Sequence, residues 1–236
     1  MSWKSSARSL IVVASLALAV SPLAACKAST KAATVDAGPL PAASDLIAQA
    51  QTAMGNVKTV HFTIAVDGTI ASLPISKADG VLTKAGDAKG SATVSELGAT
   101  IEADFVIVGD SFYLKALTGG YQKLPLATAS TVYDPSAILD PNRGIPKLLG
   151  AATNPKTVGA EQIDGKTAYK VTLTIDPASI SSLIPCAGAG TTGTVWIDQT
   201  SHRLVKGVFA VPSSGKTATV TITLNNYDAP VTISAP

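Results

Sequence analysis

"GKTATVTITLNN", residues 215–226, sets Ala218, Val220, Ile222 and Leu224 against Thr217, Thr219, Thr221 and Thr223. Successive side chains of a strand leave opposite faces, so this period of two puts aliphatic residues on one face and threonines on the other. A sheet built of such strands is wet on one side and dry on the other, and another part of the chain must cover the dry side.

Working outward, residues 193–214 ("GTVWIDQTSHRLVKGVFAVPSS") predict two more strands, with turns near Gln199-Thr200 and Ser213-Gly215. In "TVGAEQIDGKTAYKVTLTIDP" (157–177) two strands meet at Asp164-Gly165, a pair suited to a tight hairpin turn, and Val171, Leu173 and Ile175 oppose Thr172 and Thr174. "HFTIAVDGTI" (61–70) alternates Phe62, Ile64 and Val66 with His61, Thr63 and Ala65. "GSATVSE" (90–96) and "TIEADFVIVGDSFYLKAL" (100–117) continue the pattern, the latter with a turn at Gly109-Asp110.

Helical signals punctuate these runs. Ser44 is expected to cap a helix with Asp45 at its positive end and Leu46, Ile47, Ala50, Met54 and Val57 on one face, ended by Gly55-Asn56. "VYDPSAILDPNRGIPKLLGAATNP" (132–155) holds two Asp-Pro pairs, each able to start a helix, with Ile138, Leu139, Ile145, Leu148 and Leu149 spaced for two short helical turns. "DPASISSLI" (176–184) predicts a third helix behind its own Asp-Pro. The element order gives an α+β fold: one long antiparallel sheet curled around a few helices.

At the N-terminus, Lys4 and Arg8 precede an eleven-residue apolar block, Leu10 to Val20. That is a basic region and a short hydrophobic region of an export signal, and it falls short of the roughly 20 residues a spanning helix needs. Leu23-Ala24-Ala25-Cys26 resembles a bacterial lipobox, so residues 1–25 are expected to be removed and the mature chain to begin at S-diacylglyceryl-Cys26. Residues 26–43, rich in Ser, Thr, Ala and Pro, are expected to form a lipidated flexible tether, and 44–236 one domain. The rival reading is a buried or disulfide-bonded Cys26, for which Cys186 is the only partner. Cys186 has no His, Lys or Arg within "SSLIPCAGAG" (181–190) to hold a thiolate, and reads as a small apolar packing residue.

Removing the signal leaves 16 basic and 16 acidic residues, a balance that excludes the counterion-releasing surface of a nucleic-acid binder. His61 and His202 are the only histidines and have no spaced partners for a metal site, so both read as surface strand residues. Gly165-Lys166-Thr167 and Gly215-Lys216-Thr217 end like phosphate loops but have Ala160 and Ala210 where the first glycine belongs. The calcium-loop pattern opened by Asp140 fails at Gly144, Ile145 and Ala151. The expectation is therefore a chain that is not an enzyme and carries no metal or cofactor.

Five stretches together resemble one family. They are "AACK" (24–27), "ADFVIVGDSFY" (103–113), "VYDPSAILDPNRGIPKLL" (132–149), "EQIDGKTAYKVT" (161–172) and "TVWIDQTSHRLV" (194–205). In this order and spacing they are similar to the mycobacterial cell-envelope lipoproteins LppX, LprA, LprF and LprG, from about Asp45 to Ile233. The resemblance implies a half-barrel of antiparallel strands whose concave face, roofed by helices, encloses an apolar cavity. It implies a triacylated glycolipid or phthiocerol-type lipid as cargo, carried from the plasma membrane towards the outer envelope. It further implies a monomer on the outer face of the cell membrane, with a membrane transporter as a further partner and recognition of the anchored form by Toll-like receptor 2. On this reading the alternation assigns Ile64, Val66, Ala92, Val94, Ala103, Phe105, Val171 and Leu173 to the cavity lining, and Ile138, Ile145, Leu148 and Leu149 to its mouth or roof. The alternative is an anchored scaffold lipoprotein with a packed core and no lipid cargo; a hydrolase would need a Ser-His pair within hydrogen-bond reach in a pocket.

Overall fold

The structure, a computed structural model, describes residues 34–35, 38–70, 73–96, 99–116, 119–129, 135–184, 187–213 and 215–236. Cys26 with the export signal, Cys186, and the Val132-Tyr133-Asp134 part of the family-like stretch lie outside the described residues.

The threonine-faced strands pair into one antiparallel sheet. In chain order its strands are β1 (Thr34–Val35), β2 (Thr59–Asp67), β3 (Ile75–Thr83), β4 (Ala88–Glu96), β5 (Ala99–Val108), β6 (Ser111–Lys115), β7 (Gln122–Pro125), β8 (Thr153–Ile163), β9 (Lys166–Thr174), β10 (Thr192–Asp198), β11 (Leu204–Ser213) and β12 (Lys216–Asn225). The 12 strands lie in the order β1-β8-β9-β10-β11-β12-β2-β3-β4-β5-β6-β7, and the sheet is not closed. Two meanders, β2 to β7 and β8 to β12, are joined where the last strand pairs with the first long one, Ile222 opposite Ile64 and Leu224 opposite Phe62.

That topology explains where the helices go. The chain leaves β7 at one edge and must return to β8 near the other, and the described residues between them, 126–129 and 135–152, lie over one face of the sheet. They carry α2 (Leu126–Ala129), a 3-10 helix (Pro135–Leu139) and α3 (Ile145–Gly150), and α1 (Ala43–Gly55) and α4 (Pro177–Ser181) join them. One apolar cluster unites these helices, α2 at its margin, with the inward residues of β2–β5 and β8–β12. The facing side keeps its threonines half-exposed, as the alternation predicts.

Turn chemistry fixes the register. Asp164 and Gly165, with φ of 48° and 78°, have the positive φ pair of the tight hairpin turn expected there. Gly80 stands opposite Gly90 on the covered face, and a Cβ on Gly90 would lie 2.1 Å from the Asp79 carbonyl oxygen. Only glycine permits that approach of β3 to β4.

Several local expectations are corrected. Ser44 does not cap α1: the N-cap is Ala42, no side chain caps the end, and Ser44 sits inside the first turn. Asp140-Pro141 does not start a helix. The Asp140 carboxylate instead accepts from the Asn142 N–H at 2.8 Å and pairs with Arg143, and α3 begins at Ile145 after Gly144. The other two Asp-Pro pairs behave as expected, with Pro135 opening the 3-10 helix and Asp176 accepting from the Ser179 N–H at 2.9 Å. Strands β3 and β7 were not among the predicted strands, and Thr34–Val35, within the stretch expected as tether, pairs with Ala160 and Glu161 of β8.

The bare face carries an apolar cluster of its own. Trp196 packs with Ala168 and Val205, and its Nε1–H donates to Glu161 Oε2 at 2.7 Å while Lys170 Nζ donates to Glu161 Oε1 at 2.8 Å. The Lys170 and Lys206 ammonium groups lie 5.2 and 4.9 Å from the ring centroid, within cation–π range. Burial works to raise the Glu161 pKa, but the bonds from Lys170 and Trp196 and the lysine charges outweigh it and hold the carboxyl below its ordinary range.

Candidate functional site

Strand register turns the covered face into rows. One runs Val171–Val195–Gly207–Ile222–Ile64–Ala78–Ala92–Ala103 across eight strands. The next toward one sheet end holds Leu173, Gly193, Phe209, Val220 and Val66. Toward the other end lie Leu224, Phe62, Gly80, Gly90, Phe105 and Leu114, so the glycine pair stands between two phenylalanines. Every predicted strand residue falls on this face: Ile64, Ala92, Ala103 and Val171 share the first row, Val66 and Leu173 the second and Phe105 the third. Val94 lies between Ile75 and Ile101 at the far end of the β3–β5 side.

Over the rows lies an apolar roof. Leu46, Ile47, Ala50 and Met54 of α1, Ile138 and Leu139 of the 3-10 helix, and Ile145, Leu148 and Leu149 of α3 are all buried against the sheet cluster. Beyond α4, Leu183 and Ile184 join them. The roof is tied internally by the Ser182 hydroxyl, which donates to the Arg143 carbonyl at 2.6 Å and links the end of α4 to the turn before α3.

Among the described residues, two apolar voids lie between roof and sheet, each of about 10 Å³. One is bordered by Ile64 and Val66 with Leu73, Ile75, Leu183, Ile184, Val220 and Ile222. The other is bordered by Ile145 and Leu148 with Ile180, Val195, Leu204 and Phe209, among others. Each has the room of about one water molecule. Of their lining, Val220 and Ile222 were legible from the threonine alternation. Leu73, Ile75, Leu183 and Ile184 were not singled out, because they sit beside turns where no period can be counted.

The face changes along its length. Ile64, Val171 and Leu173 are buried beneath the roof, whereas Val66, Leu73, Ile75, Ala92 and Val94 are half-buried and Ile101 is 41 % exposed. An apolar surface thus runs without interruption from the sealed seam to a half-exposed lip on the β3–β5 side. The floor of that side is built of small side chains: Ala78 and Ala103 are buried and Ala92 is half-buried.

Sites for chemistry are sparse by comparison. Among the described residues no group of three or more His, Cys, Asp or Glu is placed to hold a metal ion. His61 Nε2 lies 3.3 Å from Asp79 Oδ1 on the bare face, and His202 sits in the β10–β11 turn with φ 56°.

A sequence model of the LppX_LprAFG lipoproteins matches residues 42–233. The chain belongs to that family. Among its relatives, the lipoarabinomannan carrier protein LprG of Mycobacterium leprae is 31 % identical over 234 residues, covering 97 % of this chain and 95 % of the relative. The crystal structure of LprF from Mycobacterium bovis is similar with a TM-score of 0.73 and 30 % identity, over 84 % of this chain and 98 % of that one. LppX of Mycobacterium tuberculosis follows with a TM-score of 0.64 and 28 % identity, over 83 % and 100 %. The expected family and the single open antiparallel sheet are therefore both found. Among the described residues no helix is long and apolar enough to cross a membrane.

Proposed function

We propose that this protein is a lipid carrier and not an enzyme. Anchored on the outer face of the plasma membrane by acyl chains on Cys26, it holds a multi-acylated glycolipid or phthiocerol-type lipid in an apolar cavity between its half-barrel sheet and the helical roof. It acts as a monomer alongside a membrane transporter and moves the lipid towards the outer envelope. The observation that supports this most is the continuous apolar face, from the seam at Ile64 and Val171 to the half-exposed lip at Val94 and Ile101. The relative named as a lipoarabinomannan carrier points to the same class of cargo.

Energetics decide what such a carrier does. Each buried methylene is worth about 0.8 kcal/mol relative to water, so several long chains exceed the roughly 20 kcal/mol ceiling of non-covalent binding. The relevant reference is the bilayer, another hydrocarbon medium, from which transfer is near neutral and therefore reversible. The carrier lowers the barrier to crossing water.

The 10 Å³ voids favour a second reading, a scaffold with a packed core. On the carrier reading, acyl chains enter by parting the roof from the lip side of the sheet, where burial is incomplete. A vesicle-to-vesicle transfer assay with a fluorescent triacylated glycolipid separates the two. A carrier accelerates transfer in proportion to its concentration; a scaffold leaves the spontaneous rate unchanged.

A further inference from the structure

Thr34, Val35 and Pro41 lie beside the outer edge of β8. Thr34 and Val35 pair with Glu161 and Ala160, and the Thr157 hydroxyl donates to the Pro41 carbonyl at 2.9 Å. Leu40 and Val158 flank that second tie in sequence, and they stand 43 % and 50 % exposed, two of the three large apolar side chains exposed among the described residues. Lys156 is exposed on the same strand. Scattered exposed apolar residues are ordinary. These two are set apart by their position beside the segment that leads to Cys26.

The next step rests on the proposed acylation of Cys26. Seven residues, Lys27 to Ala33, separate that cysteine from the first paired residue, Thr34. Fully extended, the link spans about 28 Å, against about 60 Å were everything up to helix α1 free. It carries Lys27 and Lys31 and no acid; the one acid between Cys26 and Pro41 is Asp36. Lysines flanking a lipid anchor favour anionic headgroups.

We propose that the β8 edge, through Leu40, Val158 and Lys156, docks on an anionic phospholipid surface, so that the domain lies edge-on against the membrane that anchors it. Short linkage, exposed apolar side chains and basic residues together fit a bilayer interface; the basic excess in the linker is what an apolar protein partner does not require.

The test uses the full lipidated chain in vesicles of phosphatidylglycerol and phosphatidylcholine with brominated acyl chains. Tryptophan is placed by Leu40→Trp, by Val158→Trp, or by Gln122→Trp on β7 at the opposite edge, with Trp196 a background common to all three. Docking predicts blue-shifted emission and strong quenching at 40 and 158 and neither at 122. Equal quenching at both edges, or none at 40 and 158 while the protein floats with the vesicles, overturns it. Replacing Cys26 by a hexahistidine held on nickel-chelating lipid reads the same pattern without acylation. A native chain that fails to float, together with the edge pattern under the artificial tether, thus counts against the anchor and not against the docking. A doubled mass in solution with position 40 already shielded before vesicles are added would assign the edge to a second copy and overturn the proposal.

Discussion

At the scale of single residues, Asp198 shows how a turn is held. Its side chain is nearly buried and accepts from the Thr200 N–H at 3.1 Å, the Ser201 N–H at 2.6 Å and the Ser201 hydroxyl at 2.8 Å. Burial works to raise its pKa, but these donors outweigh it and hold the carboxyl below its ordinary range. The unfolded chain therefore takes up the proton first. The stabilisation is fully present above the unfolded value of about 3.9 and is lost as pH falls through the lowered folded value. Glu161 and Asp140 have the same sign, burial opposed by hydrogen bonds, as does Asp228, held down first by the Lys58 N–H. Thermal melts should be flat from about pH 7 to 5 and fall steeply below about pH 4. Asp198→Asn should lose about 1–3 kcal/mol at pH 7 and flatten part of that acid limb; an unchanged denaturation midpoint would contradict this role. Gly90→Ala should cost about 2–3 kcal/mol or more, since its Cβ meets the Asp79 carbonyl at 2.1 Å. Gly55→Ala, whose Cβ meets nothing within 4 Å, should change stability by no more than about 0.5 kcal/mol in the same denaturant titration.

At the scale of elements, the alternation made most strands legible because β2, β9 and β12 place large aliphatics inward and threonines outward. It failed at β3, whose inward positions hold Ala78 and Gly80: the close approach of β3 to β4 needs glycine there, and small residues erase the apolar period. It failed at β7 because four residues with one large aliphatic, Leu124, carry no period at all. Helix starts were legible where Asp and Pro act together, at Asp176-Pro177, and misread at Asp140, whose carboxylate closes a turn with Asn142 before a helix can begin. The same small-residue rows give the next prediction. Ala92 is half-buried beside Ala78 and Ala103, so Ala92→Trp should fill the small-residue floor and block lipid uptake while leaving the melting temperature within a few degrees. Val171→Trp, beneath the sealed seam, should instead lower stability by about 1–3 kcal/mol or more through overpacking. Circular dichroism melts beside a lipid-binding assay separate the two outcomes; an Ala92→Trp chain that loads lipid normally would remove this side of the face from the site.

At the scale of the whole molecule, the fold was legible because both meanders are wet on one side. What covers the dry side was legible only as a set of short helices, since their packing depends on a crossover from β7 to β8 that no local pattern encodes. The candidate site was legible as a face and not as a volume: the rows follow from parity, while the space above them depends on how closely the roof packs. Whether that space takes up lipid decides between a carrier and a packed scaffold. Native mass spectrometry of the soluble domain beginning after Cys26, purified from a lipid-rich actinobacterial host, measures it directly, with organic extraction of whatever co-purifies. The account predicts a population heavier than the polypeptide by one multi-acylated lipid, reduced in the Ala92→Trp chain. A polypeptide mass alone, with no lipid taken up from added vesicles, would contradict it and leave the packed scaffold.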